Sequence, residues 1–171
     1  MFRRVLGAAA VALLLVSCAK GTPPAQPSQQ ATEPDSADAV TLHFSAGTGL
    51  NPSANGQPAP VRVRLFELKN TANFLRADYF SLAERAQATL GADFIDQDEV
   101  LLQPGQRLTL KRRLDPTTRQ IGVAVSYREI DQAQWRTVLA NTPMAGSEFQ
   151  IDLDSRSVNS YPAAHPTRPA Q

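Results

Sequence analysis

The chain has 171 residues, of which 42% are apolar, and a formal net charge of +1. This length predicts one domain of ordinary size, and the balance of charge argues against a strongly basic nucleic-acid-binding protein. One cysteine and two histidines are too few for a Cys/His zinc cage or an intramolecular disulfide. Thirteen prolines against nine glycines indicate extended linkers and loops.

Residues 1–17 have the pattern of a secretory signal peptide. A cationic start, Met1–Arg4, precedes an uncharged stretch of 13 residues, Val5–Ser17, whereas a membrane-spanning helix needs about 20. The stretch ends in Leu15-Val16-Ser17-Cys18, which resembles the bacterial lipoprotein box. The resemblance implies that the chain is cut before Cys18, that this cysteine carries a covalent diacylglycerol, and that its new amine is acylated. No other cofactor is predicted.

The segment that follows, residues 18–39, is predicted to be the lipidated cysteine and a flexible tether. Ala19–Ala39 contains four prolines and no aromatic or large aliphatic residue, so it cannot bury enough apolar surface to order itself. In an extended polyproline II conformation it would reach about 65 Å. Residue 19 is alanine, and the absence of an aspartate there favours sorting to the outer membrane.

Two strands are predicted from strict alternation of apolar and polar residues. Val40–Ala46 alternates throughout, with His43 on its polar face as a solvated residue. Val61–Leu68 alternates until Leu65-Phe66, where the change of phase predicts a bulge or a strand buried on both faces.

A helical insertion is predicted near residues 70–97. Asn73–Phe80 fits a short helix, and Ser81–Glu84 matches a capping box that would begin a second helix at Ser81. Leu82, Ala86 and Leu90 recur on one face of that helix, and Gly91 would end it in the left-handed conformation.

The remaining residues predict a mainly β fold. A Pro104-Gly105 turn and further alternation indicate strands at 99–103, 107–114, 121–127, 135–139 and 148–154. Residues 40–154 are therefore predicted to form a β-sandwich of about seven strands with a small α-helical insertion. Residues 155–171 are predicted to be a flexible C-terminal tail.

The residues that could take part in catalysis or metal binding do not form a recognisable catalytic pattern. Asp93, Asp96, Asp98 and Glu99 form the densest acidic cluster, but it lacks the glycine and the distal glutamate of a calcium loop, so caps and turns are predicted. Lys111–Arg113 is interpreted as a solvated or edge-protecting face, and Trp135 as a core residue. The prediction is therefore a protein that is not an enzyme and binds no metal.

Four short motifs resemble the TssJ (SciN/VasD) family of type VI secretion lipoproteins. They are Asp78–Leu82, Leu90–Asp93, Leu102–Gly105 and the pair Tyr127-Arg128 followed by Ala133–Arg136. Together with the lipoprotein box, the match covers roughly residues 42–153. It implies a transthyretin-like β-sandwich that is lipid-anchored in the outer membrane and faces the periplasm. It also implies binding to the periplasmic C-terminal region of TssM within a TssJ–TssL–TssM complex.

The loop at residues 47–60 is the predicted partner-binding site. Its 14 residues are too many for a hairpin connection, and such loops are often functional. In the TssJ family the loop between the first two strands contacts TssM. Leu50 is predicted to be the apolar anchor of this contact. The loop at residues 141–147 is predicted to contribute if it lies at the same end of the sandwich. The other candidate contact residues are Asn51, Pro52, Asn55, Gln57 and Pro58.

An alternative from another functional class is a periplasmic lipoprotein that binds a small molecule or carbohydrate on a sandwich face. It requires exposed aromatic side chains over a concave surface. Aromatic residues make up only 6% of the chain, and most occupy inward strand positions or the helical insertion. The sequence therefore favours the adaptor over the carbohydrate-binding protein.

Overall fold

The computed structural model describes residues 39–139 and 146–163. The predicted signal peptide, Cys18, nearly all of the tether, most of the 141–147 loop and the last eight residues lie outside these ranges. The described elements, in chain order, are β1 (Val40–Ala46), β2 (Val61–Leu68), α1 (Ala72–Arg76), α2 (Tyr79–Leu90), β3 (Phe94–Leu102), β4 (Arg107–Arg112), β5 (Gln120–Val125), β6 (Arg136–Val138), β7 (Glu148–Leu153) and β8 (Val158–Pro162).

The described strands form two four-stranded sheets, which confirms the mainly β sandwich. The first sheet has the order β4-β1-β7-β8, with β1 and β7 parallel and the other pairs antiparallel. The second has the order β3-β2-β5-β6 and is antiparallel throughout. The alternating side chains of β1, buried at every second position, face the opposite sheet. Eight strands are present within the described residues, one more than the sequence predicted.

The helical insertion covers the outer face of the second sheet. Leu82, Ala86 and Leu90 are buried against it, as their spacing predicted. The ring of Phe74 lies over Gly122, where an added Cβ would approach that ring to 2.8 Å. A glycine at this position of β5 therefore lets the first helix pack directly on the sheet.

The insertion differs in detail from its prediction. It forms two helices, as predicted, but the first one ends at Arg76 and not at Phe80. The insertion ends at Asp93 and not near residue 97, because β3 already begins at Phe94. The N-cap of α2 is Asp78, whose carboxylate accepts the Ser81 amide at 2.9 Å. The prediction of Ser81 as the cap is wrong, since the aspartate three residues earlier already satisfies that amide.

The end of α2 also departs from its prediction. Gly91 closes the helix with φ 58° and ψ −128°. This backbone conformation suits glycine, but it is not the left-handed helical conformation that the sequence predicted.

The second half of β2 is buried on both faces, as the change of phase predicted. Leu65 faces the first sheet and Phe66 faces the helices. The register with β3 also shifts between Glu67 and Leu68, which is the predicted bulge.

On one side of the sandwich, the two sheets are joined by a cluster of charged side chains. The sequence analysis predicted other positions for these residues. Arg112 of β4 donates to Glu67 of β2 at 2.8 Å and to Asp96 and Asp98 of β3 at 2.6 Å each. The prediction of turn positions for these aspartates is wrong, and Arg112, whose side chain is 16% exposed, does not lie on a solvated face. The alternative prediction of an edge-protecting strand agrees with the position of β4 at the edge of the first sheet. The carboxylates lie on a strand because β3 begins five residues before the predicted start and pairs with β2.

The other side of the sandwich is joined by β8, which corrects the prediction of a flexible tail from residue 155. Residues 158–162 pair with β7 along the whole strand. The Ser160 hydroxyl donates to the Val138 carbonyl of β6 at 3.1 Å. Val158 is the only fully buried residue of β8. Backbone pairing therefore holds β8 in the sheet, and its sequence has no apolar alternation from which the strand could be predicted.

Candidate partner-binding end of the sandwich

The 47–60 loop lies at one end of the sandwich, which we call the loop end. There it contacts two other connections. The Gly47 amide donates to the Leu153 carbonyl at 2.8 Å and the Gly105 amide to the Gly47 carbonyl at 3.1 Å. Ala39, to which the predicted tether is joined, precedes β1 at the opposite end, which we call the tether end.

The predicted contribution of the 141–147 loop depended on its lying at the loop end. That condition is not met by the part of this loop that is described. The Gly146 amide donates to the Ala39 carbonyl at 2.9 Å, and the Thr41 amide donates to the Ser147 carbonyl at 2.8 Å. Both contacts lie at the tether end.

Leu50 cannot be the exposed anchor that the sequence predicted. It is 0% exposed and belongs to the core between the two sheets. Its amide donates to the Gly47 carbonyl at 3.1 Å, and this turn directs the side chain inward. The only large apolar side chain of the loop is therefore used by the fold itself, because burial in the core removes it from water.

Asn51 is likewise a structural residue and not part of an interface rim. It is 4% exposed, with a positive φ of 48° that asparagine tolerates better than most residues. Its amide nitrogen donates to the Pro60 carbonyl at 2.9 Å, and its side-chain oxygen accepts the Arg128 amide at 2.8 Å. Its backbone amide donates to the Ser155 carbonyl at 3.1 Å. Asn51 therefore holds three connections of the loop end together.

The tip of the loop, residues 53–58, is the part available to a partner. The Ser53 amide donates to the Gln57 carbonyl at 2.9 Å and the Gly56 amide to the Ser53 carbonyl at 2.8 Å. Asn55, Gln57 and Pro58 are exposed, as an interface requires, while Pro52 beside the tip is half-buried. The tip thus presents small and polar groups on a backbone that is already hydrogen-bonded.

Sequence reasoning did not assign a role at this end to the segment 126–135, which follows β5. The Tyr127 hydroxyl donates to the Ser157 carbonyl at 2.6 Å. Burial, assisted by the charge of Asp154, raises the pKa of the Tyr127 hydroxyl well above its usual range, so it remains a donor. Glu129 forms an ion pair with Arg156 at 2.6 Å. Beyond Tyr127 the segment has no alternation, and the sequence marked it only through the family motif Tyr127-Arg128 and Ala133–Arg136.

The structure shows where His43 and the exposed aromatic side chains lie. His43 lies on the outer face of the first sheet, within 3.2 Å of the Thr109 hydroxyl and 3.3 Å of Glu148. Trp135 is only partly buried and packs at the edge of both apolar clusters. Among the described residues, the exposed aromatic side chains are Phe80 on α2 and Tyr161 on β8. Phe80 lies on a helix that covers the second sheet, whereas Tyr161 lies on an edge strand of the first sheet, so they do not form one carbohydrate platform.

The ranges 39–139 and 146–163 contain no helix that is both long enough and apolar enough to cross a membrane. The same residues contain no cluster of three His, Cys, Asp or Glu side chains that could hold a metal ion.

The chain was compared with protein-family models, curated proteins and solved structures. The model of the type VI secretion lipoproteins (VasD, EvfM, TssJ) matches residues 38–156. No curated protein is significantly similar. The lipoprotein TssJ1 of the type VI secretion system from Pseudomonas aeruginosa is 44% identical, with a TM-score of 0.71 over 75% of this chain and 98% of that one.

Two further solved structures agree with this assignment. Lip from Serratia marcescens, a membrane-bound component of the type VI secretion system, is 28% identical, with a TM-score of 0.67 over 76% of this chain and all of that one. A chain in the structure of the TssM C-terminal domain from EAEC is 30% identical, with a TM-score of 0.60 over 73% of this chain and 98% of that one. The predicted family is confirmed: the chain belongs to the type VI secretion lipoproteins that include TssJ and VasD.

Proposed function

We propose that this lipoprotein anchors the type VI secretion membrane complex to the outer membrane by binding the periplasmic C-terminal region of TssM. The role is one of attachment and not of catalysis. TssM would in turn connect it to TssL within a TssJ–TssL–TssM complex. Lipid on Cys18 would hold the chain in the membrane while the sandwich faces the periplasm.

The observation that carries this proposal is the folded 47–60 loop at the end of the sandwich opposite Ala39. Leu50 and Asn51 fix the base of the loop, Ser53 is half-buried, and residues 54–58 remain exposed. Because the tip is already hydrogen-bonded, little conformational entropy is lost when a partner binds it. A tether joined at Ala39 leaves the loop end free to meet a protein that comes from the inner membrane.

Calorimetry with the purified periplasmic region of TssM tests this role of the loop. Replacing residues 53–57 by a Gly-Ser turn should weaken binding at least tenfold, about 1.4 kcal/mol. Leu50 and Asn51 must be kept, because they hold the fold. The control is Gln87→Ala on the exposed side of α2, which should bind as the wild type does. An unchanged dissociation constant in the loop variant would remove the interface from the tip.

The lipid anchor is tested separately at Cys18. Two or more acyl chains make membrane attachment stable, whereas one chain holds a protein only marginally. Cys18→Ser should therefore abolish labelling by a fatty-acid probe, and the variant should leave the outer-membrane fraction. Type VI secretion should then fail although the sandwich is unaltered. Equal labelling of the wild type and the variant would contradict this anchor.

A further inference from the structure

The tip of the 47–60 loop lacks the kind of residue that dominates binding energy in protein interfaces. Such energy is concentrated in a few aromatic or large apolar side chains that become fully buried. The tip offers polar groups, alanine, glycine and proline, while Leu50 is buried in the core. Among the described residues, the exposed large apolar side chains are Leu75, Phe80, Leu101 and Tyr161.

Phe80 borders an aromatic groove between the start of α2 and the segment 126–135. Its ring meets the ring of Tyr79 edge-on at 5.4 Å, and Tyr79 meets Trp135 edge-on at 5.5 Å. The groove has a volume of about 400 Å³. Its apolar lining consists of Ala77, Tyr79, Phe80, Ile130, Ala133 and Trp135, and the charged side chains of Arg76, Asp78, Asp131 and Arg136 complete its walls. Phe80 is 59% exposed, so a side chain entering the groove would remove a large aromatic surface from water.

The groove is held in shape by polar contacts beneath it. The guanidinium of Arg136 lies 4.6 Å from the centre of the Trp135 ring. It also donates to the carbonyls of Phe74 at 3.0 Å and Ala77 at 2.6 Å. Asp78 caps α2 beside the groove. A groove that is already formed loses little entropy on binding.

The groove is continuous with the loop end through the segment 126–135. At the start of this segment, Arg128 donates its amide to Asn51 at the base of the 47–60 loop. Further along, Ile130 and Trp135 line the groove. The Tyr79 hydroxyl lies 2.5 Å from the Ser126 hydroxyl, which connects the start of α2 to the same segment. One partner that covers the tip can therefore reach the groove.

We propose that this groove receives an apolar side chain of the same TssM domain that contacts the loop tip. The inference rests on the proposed function and adds its apolar anchor point. The tip would provide hydrogen bonds at the rim, and the groove would provide the buried contact that a standard interface needs. A larger hollow, lined by Glu84, Arg85 and Gln87 of α2 together with β3, has no such connection to the loop end.

The test uses the full lipidated protein in detergent and the purified periplasmic region of TssM from the same bacterium. Phe80→Ala should raise the dissociation constant at least tenfold, mainly through faster dissociation. Phe80→Leu keeps an apolar side chain and should stay within about threefold of the wild type. The matched control is Leu101→Ala on β3, since Leu101 is 58% exposed but lies away from the groove. It should bind within about twofold of the wild type.

Each result decides between the two proposals. If the wild type does not bind TssM, the proposed function falls and this inference falls with it. If the loop-tip variant binds weakly but Phe80→Ala binds like the wild type, the inference is overturned and the proposed function stands. Self-association of the wild type that Phe80→Ala abolishes, with TssM affinity unchanged, would make a second copy the occupant and also overturn it. Equal thermal unfolding midpoints would confirm that Phe80→Ala changes the surface alone.

Discussion

The two ends of the sandwich are each held by a buried polar residue, but the chemistry of the two differs. Asn51 at the loop end is 4% exposed and Glu67 towards the tether end is 3% exposed. Asn51 is neutral and makes three hydrogen bonds with backbone groups, one within its own loop and two with other connections of the loop end. Glu67 is a carboxylate that accepts bonds from Arg112, from the Asp115 amide and from the Thr118 hydroxyl.

The two ends therefore differ in how their contacts depend on ionisation. The hydrogen bonds of Asn51 do not depend on the ionisation of its side chain, because an amide carries no charge. The charged cluster joins β2, β3 and β4, and its energy depends on every charge being present. Burial acts to lower the pKa of Arg112, but its hydrogen bond to Glu67 and the charges of Glu67, Asp98 and Asp96 raise that pKa overall. Arg112 therefore stays protonated.

The largest expected effect is the loss of Arg112. Arg112→Met leaves Glu67 buried beside Asp96 and Asp98 without a cation, which should lower the free energy of unfolding by about 3–5 kcal/mol. Urea denaturation of the purified mature chain measures it. Arg107→Ala, an exposed arginine on the same strand, should change stability by less than about 0.5 kcal/mol. A similar small change in Arg112→Met would show that the cluster does not hold this end.

Asn51→Asp would place a buried carboxyl group at the loop end, as Glu67 does towards the tether end. In Asn51→Asp the ionised carboxylate can no longer donate to the Pro60 carbonyl, and it is buried where a neutral amide stood. Burial raises the pKa of such a carboxyl group. The stability of the Asn51→Asp variant should therefore increase as the pH falls from 7 to 4, because the protonated carboxyl group can again donate a hydrogen bond. The measurement is the unfolding midpoint of Asn51→Asp relative to Asn51→Ala at both values. A constant difference between the two variants would contradict the buried position of Asn51.

Asn51→Ala removes the neutral residue without adding a charge. It leaves the Arg128 amide and the Pro60 carbonyl without their partner and places alanine at a positive φ. The free energy of unfolding should fall by about 1–3 kcal/mol. Affinity for TssM should fall as well, because Asn51 positions both the loop and the segment 126–135. In Asn51→Ala, the backbone amides at the loop end should exchange hydrogen faster than those at the tether end. Uniform exchange at both ends would contradict a local role of Asn51.

The smallest effect is expected from an exposed carboxylate at the tether end. The Thr117 hydroxyl and then the Thr117 amide donate to Asp115 and lower its pKa below the usual 3.8. A lowered pKa in the folded state stabilises the fold above pH 3.8, and this contribution is lost as the pH falls further. Asp115→Ala should therefore lose less stability between pH 7 and pH 3 than the wild type does. Thermal unfolding at both values tests the difference, and equal losses would contradict it.

Local pattern predicted several elements of this protein correctly. The alternation of β1 and β2 gave both strands with their observed ends, because half-buried strands alternate with period two. The spacing of Leu82, Ala86 and Leu90 identified the buried face of α2 for the corresponding helical reason. The short motifs and the predicted lipoprotein box were enough to identify the family.

Tertiary structure alone decided which residues of the loop end are exposed. Leu50 looked like an exposed anchor within its loop, but a turn places it between the two sheets. Asn51 looked like a surface amide, but its partners are nine and 77 residues away in the chain. The aromatic groove likewise brings Tyr79 of α2 into contact with Trp135 before β6, 56 residues later in the chain. Sequence patterns record the side of an element that is buried, whereas these assignments depend on contacts between segments that only the folded chain brings together.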